Sequence, residues 1–221
     1  MSVALVTGAA RQNSIAAGIV PRLAADDWEV ATSDLHDVDF PCDLSDPDAP
    51  ERLISAVAAE RGPISALVLS HAHDVLSGVL DTSAESMDRH FAINARASLL
   101  LIAAFARQVP PEGGAVVALT SDATTGNLPY GASKGALDRL VIAAARELGP
   151  LGISTNVVNP GPVDTGWMTG DLRDRLAPDH PLGRLGEPSD IAGVVAFLVS
   201  PPGRWISGQL LHVDGGFSAR F

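Results

Sequence analysis

The sequence predicts an α/β fold in three layers, a parallel sheet with helices on both faces. Two patterns point there. Short β-branched or apolar runs alternate with longer alanine-rich runs of helical spacing, as repeated β–α units require. Some strands, such as "AVVAL" at Ala115–Leu119, are apolar without interruption, which suits strands buried on both faces. Composition agrees: 46% of the 221 residues are hydrophobic and only 19% are charged, enough for a large core in one domain.

Taken in order, strands are expected at "ALVTG" (Ala4–Gly8), "WEVATSDL" (Trp28–Leu35) and, weakly, "VDFPCDL" (Val38–Leu44). Four more follow at Ile64–Ser70, Ala115–Ser121, Ser154–Pro160 and Gln209–Gly215. Helical patterns lie between them at about 14–25, 48–61, 84–108, 130–148 and 188–200. Pro21 falls inside the first helix, where it removes a hydrogen bond and crowds the Ala17 carbonyl, so a kink or a later start is expected. The segment Thr165–Leu185 has weak periodicity between Pro/Gly-rich pieces. It reads as a loop with a short helix on the side of the sheet where α/β proteins bind ligands.

Composition also excludes. A net charge of −11 argues against nucleic acid and anionic membranes as partners. No apolar run reaches the length of a bilayer span, and the first strand begins too early to leave room for a signal peptide. The single cysteine, Cys42, excludes an intrachain disulfide and fits a reducing compartment. A cytoplasmic protein facing small molecules is expected.

The turn after the first strand, "TGAARQNSIAAG" (Thr7–Gly18), stands where dinucleotide-binding proteins place a glycine-rich turn. Gly8 can make the turn, while Ser14 and Ala16 are small residues at the two close-approach points. Ser14 can cap the helix or bond a phosphate, and backbone amides near Ser14 and Ile15 are expected to face a pyrophosphate. Asp34, at the end of the second strand, can accept from ribose hydroxyls and repel a 2′-phosphate, favouring NAD over NADP. Arg11 is the counterweight, since a turn arginine can meet a 2′-phosphate.

Tyr130, the only tyrosine, lies four residues before Lys134 on a predicted helix, so both project from one face. A nearby cation lowers a phenol's pKa and fits it to give or take a proton at a carbonyl or alcohol oxygen. An ordinary tyrosine and a solvated lysine would look the same. The context adds a strand ending in Thr120 and Ser121, whose hydroxyls can reach the same oxygen.

"TGAAR", "CDL", "LTS", "YGASK", "VNPGPVDT", "GEPSDIAGVVAFLVS" and "ISGQLLHVDGG" occur in this order over nearly the whole chain. Together they resemble the classical short-chain dehydrogenase/reductase family, near its 3-oxoacyl-thioester reductases. The resemblance implies a Rossmann-type sheet of seven strands in the order 3-2-1-4-5-6-7. It also implies hydride transfer between a nicotinamide cofactor, NAD or NADP, and a carbonyl or secondary alcohol. Tyr130 would be the general acid/base and Lys134 would hold the nicotinamide ribose. Ser121 would position the substrate oxygen, and Asn94 would support a water relay to the lysine. Asp43 and Leu44 would lie beside the adenine, with Ser70 lining the cofactor. Pro160, Gly161 and the Val163 backbone would meet the nicotinamide, and Thr165 its carboxamide or a phosphate. A homotetramer or homodimer is implied, with helices 84–108 and 130–148 and the last strand in interfaces.

Two departures stand out. Ser121 and Tyr130 are nine residues apart, a few fewer than the family usually shows, so Thr120, Thr124 or Thr125 could supply the hydroxyl instead. And "LSHAHD" replaces the family's N-N-A-G after the fourth strand. His71, His73 and Asp74 resemble an H-x-H metal pair, but no further ligand cluster accompanies them, so no metal is expected. They are expected to line the cofactor cleft or cap the strand, and one of them could also touch substrate. Trp167 and Met168 could roof an apolar pocket or simply pack. The G-x5-S-x-A opening resembles enoyl-thioester reductases, although the Tyr–Lys spacing is that of carbonyl reductases. A catalytically silent nucleotide-binding regulator is the non-enzymatic alternative.

Overall fold

The computed structural model describes residues 1–123, 125–166, 170, 171, 174 and 177–219. Seven strands form one sheet: β1 (Val3–Thr7), β2 (Glu29–Asp34), β3 (Phe40–Pro41), β4 (Ile64–Leu69), β5 (Gly114–Leu119), β6 (Ile153–Asn159) and β7 (Leu210–His212). Every pairing is parallel and the order is β3-β2-β1-β4-β5-β6-β7, as expected. β3 and β7 are much shorter than their sequence patterns. Both are edges, and a two-residue edge containing Pro41 offers little to a stray strand.

Side-chain alternation sorts the core into two layers. Val3 and Leu5 of β1 face helices α2 (Ala49–Arg61), α4 (Ala97–Gln108) and α5 (Leu128–Leu148). Ala4 and Val6 face α1 (Ile15–Ala25) and α6 (Pro188–Val199). α1 and α6 pack so closely that a Cβ on Gly18 would lie 2.8 Å from Pro188. α1 starts at Ile15 and runs through Pro21, so the later start does not occur. Pro21 sits on the exposed side, where water can take the carbonyl it orphans, while Ile19 and Leu23 bury the other face.

The predicted helix 84–108 is three pieces: α3 (Ala84–His90), a π-helical turn at Phe91–Arg96, and α4. Such widened turns gather at functional sites, and Asn94 sits inside this one. α5 begins two residues before the predicted start, with Asn127 at its cap and Pro129 in its first turn, which places Tyr130 at the mouth of the helix. β5 ends at Leu119, so Ser121 lies in the loop beyond it. No helix among the described residues is long and apolar enough to cross a membrane.

Candidate active site

The β1–α1 turn is fixed from below. Gly8 has φ +72°, and a Cβ there would come within 2.7 Å of the His71 backbone, so both conformation and space demand glycine. The Gly8 N–H donates to the Ser33 carbonyl at 2.8 Å. The Asp34 carboxylate accepts from Ala10 N at 3.0 Å and from Leu35 N at 2.8 Å, so it braces the turn it faces. A guanidinium nitrogen of Arg11 donates to the Thr165 carbonyl at 3.5 Å, joining this turn to the loop after β6.

Ser14 caps α1, its hydroxyl accepting from Ala17 N at 3.2 Å. Its own N–H is spent on the Arg11 carbonyl at 3.1 Å, so the Ser14 amide does not face a phosphate as expected. Ile15 and Ala16, the first residues of the helix, have no acceptor for their amides among the described residues. Those amides and the helix dipole form a ready anion seat.

Beyond β4, Thr7 Oγ links the strand ends. It lies 2.7 Å from His71 Nδ1 and accepts from Ser70 N at 3.2 Å. His71 Nε2 reaches the Ile93 carbonyl at 3.2 Å, so the imidazole carries its proton there and takes the Thr7 hydroxyl on Nδ1. Burial pushes its pKa down to about 3, and the Lys134 charge adds to this. His73 turns elsewhere and packs on the His90 ring, 4.5 Å between centroids. The two imidazoles thus serve separate networks, and no cluster of three metal-ligating side chains occurs among the described residues.

Tyr130 and Lys134 share one face of α5. The Lys134 ammonium is 5.7 Å from the phenol ring centroid and donates to the Leu119 carbonyl at 2.8 Å. Burial lowers its pKa to about 8, against the pull of Asp138 and Asp74. The expected depression of the tyrosine does not occur in the protein alone. Burial raises its pKa to about 12, Asp74 adds to the rise, and a hydrogen bond with Ser121 only partly opposes it.

Ser121 is the hydroxyl on Tyr130. Thr120 is buried and directed at the Lys134 carbonyl at 3.4 Å, Thr125 is exposed, and Thr124 lies outside the described residues. Asn94 is buried, but its side chain does not turn to the lysine. Its Oδ1 accepts from His73 N at 2.7 Å, and its Nδ2 donates to the His73 carbonyl at 2.9 Å and to Ser133 Oγ at 2.8 Å. Both amide protons are thereby committed, and Ser133 in turn donates to the Tyr130 carbonyl at 2.8 Å.

Other predicted positions divide. Asp43 is exposed and caps its own turn through Ser45 N at 2.9 Å, which lowers its pKa. Leu44 buries its side chain in the core, leaving only backbone for a ligand. Gly161 turns with its N–H on Asn159 Oδ1 at 3.1 Å, just after Pro160. Val163 is buried and bridges Gly186, tying together the two ends of the substrate-side loop. Trp167 and Met168 lie outside the described residues. A cavity of about 540 Å³ opens elsewhere, near the N-terminal ends of α1 and α6, and includes none of Ser121, Tyr130 or Lys134.

A family model described as enoyl-(acyl carrier protein) reductase matches residues 8–218. The chain belongs to the short-chain dehydrogenase/reductase family. It is 34% identical to an uncharacterized oxidoreductase, YjdA, of Bacillus subtilis over 97% of this chain and 96% of the relative. It is also 34% identical to an L-rhamnose 1-dehydrogenase (NAD(P)(+)) of Azotobacter vinelandii, over 79% of this chain and 72% of that one. A blue fluorescent protein from a metagenomic library, solved in complex with NADPH, superposes with a TM-score of 0.90 at 32% identity, covering 98% of both chains.

Within this short-chain dehydrogenase/reductase chain, sequence reasoning missed Thr7, Ser133 and Asn127. Thr7 stands before a glycine at the end of β1 and Ser133 between Ala132 and Lys134, and each is buried on a hydrogen bond. In "YGASK" only the neighbouring tyrosine and lysine hinted that the serine matters. Asn127 left no pattern at all.

Proposed function

We propose that the chain interconverts a carbonyl and a secondary alcohol with a nicotinamide cofactor, Tyr130 being the general acid/base. The observation that carries this is the Ser121–Tyr130–Lys134 arrangement: a half-buried phenol bonded to one hydroxyl, with a buried ammonium one helical turn away. A bound nicotinamide would supply or accept the hydride. The chain's residues would do the rest. Ser121 holds the substrate oxygen beside Tyr130. Tyr130 donates its proton as negative charge develops on that oxygen during reduction and takes it back during oxidation. Lys134 stabilises the charge left behind. Asn94 and Ser133 are positioning residues that hold the backbone on either side.

The cofactor fits what the turn offers: a glycine no side chain can replace, and two open amides at a helix start. Asp34 favours NAD, because its braced carboxylate would face a 2′-phosphate. The NADPH-bound relative and the NAD(P)-dependent one support NADP as the alternative. Titrating the protein with NADH and NADPH side by side tests this. Tighter NADPH binding would defeat the Asp34 argument.

Tyr130→Phe tests the mechanism. Carbonyl reduction should fall at least about 10³-fold in kcat with dinucleotide affinity retained, since the lost group acts on the substrate oxygen alone. Turnover equal to wild type would overturn the assignment. Paired 3-oxoacyl and 2-enoyl thioesters would show whether alkene reduction competes, the second reading that the family model supports.

A further inference from the structure

Asp74 is held from both sides. Asn94 grips the residue before it, through the N–H and carbonyl of His73. His90, fully buried, grips the residue after it: its Nδ1 is committed to the Ser86 carbonyl at 2.7 Å, and Nε2 accepts from Val75 N at 3.1 Å. Between these clamps one Asp74 oxygen accepts from Asn127 Nδ2 at 2.9 Å. Asn127 stands three residues before Tyr130. Its own Oδ1 is buried without a hydrogen-bond partner, so the amide is spent on the aspartate at the expense of its carbonyl. A second tie, Leu128 N to the Ser77 carbonyl at 2.9 Å, joins the same two loops.

An aspartate present only for solubility needs none of this. Asp74 is nevertheless exposed, and no hydrogen bond among the described residues reaches its second oxygen. Its charge is felt at Tyr130 and at Lys134, raising the pKa of both. A carboxylate offers acceptors and no donor. Whatever meets the second oxygen must therefore donate, and a second anion would be repelled.

We propose that Asp74, positioned by Asn127, is a specificity-determining residue that accepts a hydrogen bond from a hydroxyl or protonated amine next to the reacting carbon. Hydroxy- and amino-ketones, or the matching diols and amino alcohols, are the preferred class, and 2-oxo carboxylates are disfavoured. The proposal rests on the carbonyl–alcohol function above.

Three four-carbon ketones test it on the full chain with saturating dinucleotide: 1-hydroxy-2-butanone, 2-butanone and 2-oxobutanoate. In wild type, kcat/KM for the hydroxyketone should exceed that for butanone by about 10-fold or more, with the oxo acid lowest, as one hydrogen bond to a charged group implies. Asp74→Asn keeps an acceptor for Asn127 but removes the charge. It should bring the hydroxyketone-to-butanone ratio within about 3-fold and raise the oxo acid relative to butanone. Asn127→Ala should move both ratios the same way by less. Ratios unchanged in Asp74→Asn would overturn the proposal and leave the carbonyl function standing. If wild type reduces none of the three ketones, the carbonyl function fails. Calorimetry of 1-amino-2-butanol on the dinucleotide-saturated protein then decides the subsite: binding lost in Asp74→Asn supports it, and equal or absent binding overturns it.

Discussion

On the β1–β4 side of the cleft, the groups that would meet a nucleotide are main chain, and each is braced by a buried or doubly bonded side chain. Gly8 lies against His71, Asp34 holds Ala10, and Thr7 holds Ser70. On the opposite side, residues 74–82, 121–123 and 125–127 are loops whose ties run to each other and to α3 and α5. Val75, Leu76, Val79 and Leu80 point outward from them. A phosphate is met well by fixed amides, so the first wall must be rigid and its parts cannot be exchanged singly. A substrate is met by side chains, so the second wall can change without disturbing the sheet. The two walls share one seam, Asn94, whose amide holds His73 on one side and, through Ser133, the first turn of α5 on the other.

The largest effect should come from breaking the rigid wall at its tightest point. Gly8→Val puts a β-branched side chain at φ +72° and into the His71 backbone. A cost of about 3 kcal/mol is expected, which for a chain of this size lowers Tm by roughly 6–12 °C. Dinucleotide affinity measured by fluorescence titration should fall more than about 100-fold, since the amides move with the turn. Retained affinity would mean that the turn is not the phosphate seat.

This contrast also decides what could be read from the sequence. The alternation of strands and helices and the small residues of the β1–α1 turn were legible because periodicity and fixed offsets are local properties, while the strand order came from the resemblance. Ser14 shows the limit: its capping role was readable, but the loss of its amide to Arg11 depends on how the longer turn closes. The Tyr130–Lys134 pair was legible from spacing, yet the sign of the tyrosine's shift was not, because burial and Asp74 come from other elements. Asn94 was found by resemblance, but its side-chain bonds to His73 and Ser133 were not foreseen, since the π-helical turn that aims it leaves no mark in the apolar pattern. Asn127 belongs wholly to the loop wall, where a residue's neighbours are distant in sequence.

A smaller effect isolates one brace. His71 is neutral in the fold, with a pKa near 3 against 6.5 in an unfolded chain. The unfolded chain therefore takes up a proton first as pH falls. Stability that is full above about pH 6.5 is lost toward pH 3, by up to roughly 1.4 kcal/mol per pH unit. His71→Asn, which places the family's usual residue there, should cost about 1–2 kcal/mol at pH 7.5 for the lost Thr7 and Ile93 bonds. It should also flatten the fall between pH 6.5 and 5. Urea denaturation at pH 7.5, 6.5 and 5 reads both effects. An equally steep fall in the variant would put the acid sensitivity elsewhere.

The smallest effect is expected on the loop wall. Leu80 is fully exposed in the single chain, the extreme of the run "VLSGVL". If the loop owes nothing to packing, Leu80→Ser should change stability by less than about 0.5 kcal/mol and leave dinucleotide affinity within about 2-fold. Four outward apolar side chains in six residues are nonetheless costly in water, and a second copy of the chain could cover them. In that case the substitution would lower Tm by several degrees, and the wild-type Tm would rise with protein concentration, as binding to the folded state requires. Thermal melts of both proteins over a 100-fold concentration range separate the cases. A concentration-independent Tm, equal in both, would leave this wall free to meet substrate alone. A Tm that rises with concentration in wild type only would make the loop an assembly surface and the comparison of the walls one of two interfaces.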